Sequence, residues 1–133
     1  MRTSMSRRRA VKAILRTLAA AAMVLVGTSH FRDPAPFVAI VPSPLPAKLM
    51  LVYISGAAEI AGGLGLLLPA TRRAAGFGLI VLYLAVFPAN INMAINHLPM
   101  GATAVPDWVL WARLPLQFVF IAVAYWFTRP DPV

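Results

Sequence analysis

Cysteine is absent from the 133-residue chain. That excludes disulfides, thiolate metal sites and cysteine nucleophiles within it, and leaves the redox compartment open. Charge is scarce as well: 12% of residues are charged, four acidic side chains against twelve basic ones. A soluble domain of this length has too much surface to cover with so few polar groups. What is abundant is apolar, 60% of residues, with a mean hydropathy of +0.78. These figures place the chain in the integral membrane class, as one all-α domain. The net charge of +8 and pI near 11.4 raise the question of nucleic acid. The basic residues cluster at the ends of apolar runs rather than along one face, so the partner they imply is the lipid bilayer, and nucleic acid is set aside.

A membrane-crossing helix needs roughly 20 mostly apolar residues. Four windows qualify: Val11 to Ser29, Ala47 to Leu68, Arg72 to Asn96, and Asp107 to Thr128. They predict a four-helix bundle over 11–128, preceded by a basic segment, 1–10, and followed by a short tail, 129–133. The links are a Pro-rich stretch (Phe31 to Pro46), a tight turn (Pro69 to Thr71) and a short loop (His97 to Pro106). Lys and Arg bias orients the chain. One side carries Arg2, Arg7, Arg8, Arg9, Lys12, Arg72, Arg73 and Arg129, the other only Arg32 and Lys48. Both termini are therefore expected on the cytoplasmic face of a bacterial inner membrane, and the Pro-rich loop outside. The first span is expected to stay uncleaved, with Arg16 snorkelling to the inner interface. Asp107 is expected to cap the fourth helix.

Within the second window Ala58 and Gly62 form a small-xxx-small pair, and Ser55, Glu59 and Gly63 share one stripe. Glu59 is the exception to the apolar run. A carboxylate at that depth, about 16 Å along its helix, costs on the order of 3 kcal/mol on insertion scales. The third span carries Asn90, Asn92, Asn96 and His97 after Pro88, and the fourth carries Arg113 and Gln117 around Pro115. Polar groups thus concentrate in the outer half. Each proline frees a carbonyl four residues back, Leu84 and Trp111, and kinks there would open a cavity to one face. Glu59, Asn90, Asn92, Arg113 and Gln117 are the candidates for ligand binding or proton handling; no metal site is expected. Two readings of Glu59 stand: a carboxyl bonded to Ser55, an Asn or Gln117 that locks the bundle, or a group that handles protons or ligand. Arg113 either snorkels outward or pairs with Glu59 or an anionic ligand. His30 and His97 are expected to be solvated at the interface. The Pro-rich stretch is either a stiff connector or a cap with Phe37 and Ile40 facing inward.

Several of these segments resemble DoxX-like membrane proteins. They are His30-Phe31, Pro36-Phe37, Ile40-Val41-Pro42 and Leu45-Pro46 in the first loop, then the run from Ser55 to Pro69 with Arg72-Arg73. Phe87-Pro88-Ala89-Asn90-Ile91-Asn92-Met93-Ala94 and Arg113-Leu114-Pro115-Leu116-Gln117 complete the likeness. The resemblance implies four spans and an association with redox and oxidative-stress systems, the family taking its name from a subunit of a quinone-linked sulfur-oxidising oxidoreductase, with Glu59, Asn90 and Arg113 on matching motifs. Three functions compete on this footing. The first is a redox-accessory subunit that binds quinone or another lipid-soluble molecule in the outer half. It needs a membrane redox partner or a homo-oligomer, because the chain holds no haem or iron–sulfur ligand set. The others are a non-catalytic scaffold for a partner complex and a component of a small-solute carrier. Whether the chain is an enzyme is left open.

Overall fold

The computed structural model describes residues 2–101 and 103–133; Met1 and the side chain of Arg2, counted above in the basic segment, lie outside the described residues. It is all-α, with helices α1 (Arg2–Arg32), α2 (Ala35–Ile40), α3 (Lys48–Leu67), α4 (Arg72–Ile95) and α5 (Asp107–Thr128). The four long helices are each long and apolar enough to cross a membrane. Their large apolar side chains point outward: Leu18 and Leu25 of α1, Ile54 and Leu64 of α3, Val81 and Leu84 of α4, and Phe118 and Val119 of α5 are all exposed. In water such a surface would aggregate; in hydrocarbon it is the solvated face, and the helices keep every backbone bond inside themselves.

Proline and its neighbours set the helix ends. Helix α1 stops at Arg32, before Asp33-Pro34, and α3 stops before Pro69, because a residue ahead of proline leaves the helical region. The last carbonyls of α3 are then taken up locally. Thr71 Oγ1 donates to Gly65 O at 2.9 Å and Arg72 Nε to Leu66 O at 3.0 Å. At the end of α4, His97 adopts φ 52° and Leu98 N–H reaches back to Met93 O at 3.0 Å, with Leu98 packed on Met93. That is a Schellman closure with a histidine where glycine is usual. Asp107 is the first helical residue of α5 rather than its cap, which is Pro106 without a side-chain bond. Its carboxylate instead meets His97 Nδ1 at 2.9 Å, tying the end of α4 to the start of α5. Helix α1 is longer than its apolar window at both ends and absorbs the basic segment. Within the Pro-rich stretch Pro34 and Pro36 start the six-residue α2.

The long helices pack antiparallel in the order α1–α3–α4–α5. Backbones come closest where glycines face each other. A Cβ on Gly56 would stand 2.9 Å from Gly27 O and 2.7 Å from His30 Cβ, so α1 and α3 touch there as only small residues permit. One apolar cluster (Leu66, Leu79, Leu82, Ala124, Phe127) fills the half nearer the termini. A second (Met93, Ala94, Leu110) fills the half nearer α2, and Ile40 of α2 packs on it. Pro88 and Pro115 sit inside continuous helices.

At the end that carries both termini, one carboxylate closes the bundle. Arg16 grips Asp131 with both nitrogens (3.0 and 3.2 Å), Lys12 Nζ lies at 3.4 Å and Arg72 Nη1 at 3.4 Å. Lys12 also donates to Arg129 O at 2.7 Å and is 1% exposed; Arg16 is 5% exposed. Arg16 therefore turns inward to a counter-charge rather than out to the interface. Arg16, chiefly through its hydrogen bonds, and Lys12 hold the Asp131 carboxyl down at about 2. Its folded value lies below the ordinary 3.8, so its contribution is complete above that pH and fades as pH falls toward about 2.

Two outcomes follow from this packing. Asp131→Asn should lower stability in mild detergent by on the order of 1–3 kcal/mol at pH 7, since it leaves Lys12 and Arg16 buried without a counter-charge. The gap from wild type should narrow as thermal melts are taken from pH 5 down to pH 3; a gap independent of pH contradicts the latch. Gly56→Ala should destabilise, whereas Gly78→Ala, whose Cβ would meet nothing within 4 Å, should be neutral or stabilising by up to about 1 kcal/mol.

Candidate functional site

The polar side chains of the membrane-spanning helices lie between and beyond the two apolar clusters, and they divide into three groups. Glu59 is the deepest. Its side chain is 15% exposed, and its nearest polar neighbour is His30 of α1, with Nδ1 3.3 Å from Glu59 Oε2. The same Nδ1 lies 2.8 Å from Val26 O, the natural acceptor on its own helix. Because Nδ1 is engaged there, Glu59 Oε2 is buried without a hydrogen bond. Ser55 spends its hydroxyl on Val52 O, so neither it nor Gln117 nor an asparagine holds the carboxyl as the locking role required. Arg113 acts on Glu59 only through space, with no ion pair among the described residues. His30 is buried and stacked on Phe37 of α2, with ring centroids 3.8 Å apart. The expectation of a solvated His30 is corrected: α2 folds over it and removes it from solvent. His97 is exposed, as its position at the helix end implied.

The second group is structural. Asn90 Nδ2 is 3.5 Å from Gln117 Oε1, and Gln117 Nε2 donates to Tyr83 O at 2.9 Å. Both side chains are buried. They bridge α4 to α5 beside Pro88, using the carbonyl one residue ahead of the acceptor that Pro88 leaves free. Asn92 points elsewhere. It donates to Ile40 O at 2.8 Å and accepts from Asn96 Nδ2 at 2.6 Å, pinning the end of α2 to α4. Buried amides of this kind contribute about 0.6–2 kcal/mol between membrane helices.

The third group lines a cavity. It occupies about 300 Å³ between α2, the α4–α5 loop and α5, and Ser29, Asp33, Phe37, Ile40, Met93 and Arg113 are on its wall. Neither Pro88 nor Pro115 lines it. The expected opening at two kinks is therefore corrected to a space roofed by α2. Of the five candidate residues, Arg113 alone is on the wall; Glu59, Asn90, Asn92 and Gln117 are not brought into one pocket with it. Arg113 has no hydrogen bond or ion pair among the described residues, so its donors are available to whatever fills the cavity. Phe37 belongs both to this wall and to the stack on His30, so the cavity and the His30–Glu59 contact share one side chain. Sequence reasoning had α2 as a possible cap with Phe37 and Ile40 inward, and both side chains do face in. It missed His30, and the only signal available was its place beside Phe31 and the Pro-rich stretch. No group of three or more metal-ligating side chains comes together among the described residues.

A family model described as a domain of unknown function, DUF8561, matches residues 18–128. The chain belongs to the DUF8561 family. No curated protein and no solved structure matches it. The DUF8561 stretch takes in all three polar groups and the whole cavity wall, and it stops short of Asp131.

If Asn92 holds the roof, Asn92→Ala should raise amide hydrogen exchange across 35–41 by about tenfold. Exchange in the middle of α4 and α5 should stay as in the wild type. Equal exchange in the roof of both proteins contradicts the assignment.

Proposed function

We propose that the chain binds a lipid-soluble small molecule bearing a carbonyl or phenolic oxygen, a quinone being the best match, in the cavity beneath α2. The observation that carries this reading is Arg113: a cationic donor with no hydrogen bond or ion pair among the described residues, on a wall that is mostly apolar apart from Ser29 and Asp33. Apolar pockets with few convergent polar groups suit such ligands, and about 300 Å³ is at the small end of ligand sites. It accommodates a ring headgroup, while a long apolar tail lies along the exposed face of the bundle. Arg113 orients the headgroup oxygen, and the aromatic face of Phe37 covers the ring. Glu59 and His30 lie one side chain away, behind Phe37. The free Glu59 oxygen is suited to take or give up a proton as the ligand changes charge.

The chain is an accessory rather than a complete oxidoreductase in this reading, because electrons need a partner protein that carries a redox group. The resemblance to DoxX-like proteins supports the same assignment, since that family takes its name from a subunit of a quinone-linked oxidoreductase. The bias of Lys and Arg supports a bacterial inner membrane location with both termini cytoplasmic, which opens the cavity to the outer leaflet.

Native mass spectrometry of the gently purified protein tests this directly. Wild type should retain one quinone per chain, Arg113→Met should retain at least tenfold less, and Arg113→Lys should retain an intermediate amount. Absence of quinone from every preparation, or equal retention by Arg113→Met, overturns the proposal. In that case the scaffold reading is left, in which Arg113→Met changes nothing but yield.

A further inference from the structure

Helix α1 carries charge that the fold does not use. Its 31 residues extend about 46 Å at 1.5 Å per residue, against about 30 Å of hydrocarbon. Its first turns therefore stand at headgroup level. At that end Lys12, Arg16 and Arg72 are already answered by Asp131. Arg7, Arg8 and Arg9 are exposed and have no hydrogen bond or ion pair among the described residues. Two of these three face a cavity of about 450 Å³ between α1 and the end of α5, lined by Arg7, Arg8, Val11, Trp126 and Pro132. Arg9 is not on its wall. Helices α1 and α5 make little direct contact along their lengths, so this space opens onto a seam that, among the described residues, is bridged by the tail's bonds to Lys12 and Arg16 and is otherwise unfilled. Lys12 Nζ lies 5.4 Å from the Trp126 ring, which steadies the indole as one side of the space.

We propose that this cavity is a binding site for one anionic phospholipid. Its phosphate lies between the Arg7 and Arg8 guanidinium groups. Its glycerol and upper acyl chain lie on Val11 and Trp126, along the α1–α5 seam. The chemistry of the wall sets the class of ligand. Two unpaired guanidinium groups select a phosphate, and the apolar floor belongs to two membrane-spanning helices, so a soluble anion would leave it unfilled. A zwitterionic headgroup brings its own cation to the arginines and is disfavoured. The site is at the opposite end of the bundle from the cavity beneath α2 and is independent of what binds there.

The test is native mass spectrometry of the full chain in detergent after equilibration with phosphatidylglycerol or phosphatidylcholine. Wild type should keep one phosphatidylglycerol and no phosphatidylcholine. Loss of each arginine should weaken retention about fivefold and loss of both about thirtyfold, so R7Q/R8Q should be nearly lipid-free and R7K/R8K should keep its lipid. R9Q removes the same charge one residue away, outside the cavity, and should match wild type within twofold. All three positions are exposed, so the variants should melt as wild type does. If R9Q weakens retention as much as R7Q or R8Q, the attraction is diffuse and the site is refuted. Equal retention of phosphatidylcholine refutes it as well.

Discussion

Hydrocarbon does not solvate charge, and the rest of the structure depends on how the chain answers that constraint. Moving an ion out of water costs several kcal/mol even after relaxation, so a charged group at depth needs a counter-charge, hydrogen bonds, or a route to the interface. At the terminal end the answer is complete. Asp131 sits among Lys12, Arg16 and Arg72, and the tail carbonyls of Arg129 and Pro130 take the remaining donors of Lys12. That end is a closed ionic knot over an apolar cluster. Toward α2 the answer is incomplete. Glu59 has one oxygen without a hydrogen bond, and Arg113 has no hydrogen bond or ion pair among the described residues and meets the charge of Glu59 only through space.

That contrast is what the proposed reading rests on. A polar group left unsatisfied in a native interior costs stability, so its retention asks for a reason outside the fold. Here the two unsatisfied groups flank the same small roof. Helix α2 covers His30 through Phe37 and lines the cavity through Phe37 and Ile40; its one side-chain hydrogen bond to the bundle among the described residues is from Asn92, beside the Phe37 stack and the packing of Ile40. In the proposed reading a ligand from the membrane lies beneath this helix. The ligand would reach Arg113 first, with the carboxyl of Glu59 behind the Phe37 ring.

Much of the fold was legible in the residues. Apolar runs of about 20 located all four long helices, prolines located three of their ends, and the small residues of α3 marked close packing without saying against which helix: Gly56 and Gly63 meet α1, whereas Gly62 of the small-xxx-small pair meets Leu79 of α4. The spacing of Asn90, Asn92, Arg113 and Gln117 showed polar groups gathering toward one end. What spacing could not show was which helix each group would meet. Heptad arithmetic fixes positions around one helix, but the order of helices in the bundle and their relative rotation are set by packing. Glu59 was expected to face α4 and α5; it touches α1 instead, because Gly27 and Gly56 bring those two backbones together and carry His30 against it. Asn90 and Gln117 were grouped with Glu59 and turned out to serve each other. Asp131 was missed because a tail residue between two prolines has no periodicity, and its role exists only when the chain ends meet.

The central claim is that the space under α2 is where a lipid-soluble ligand is held, and a photoreactive quinone read out by peptide mapping tests it most directly. In native membranes the label should be saturable by unmodified quinone and should fall on peptides containing Phe37, Ile40 and Met100. Labelling spread over the outward faces of α1 and α5, or labelling that excess quinone does not compete away, would contradict the account.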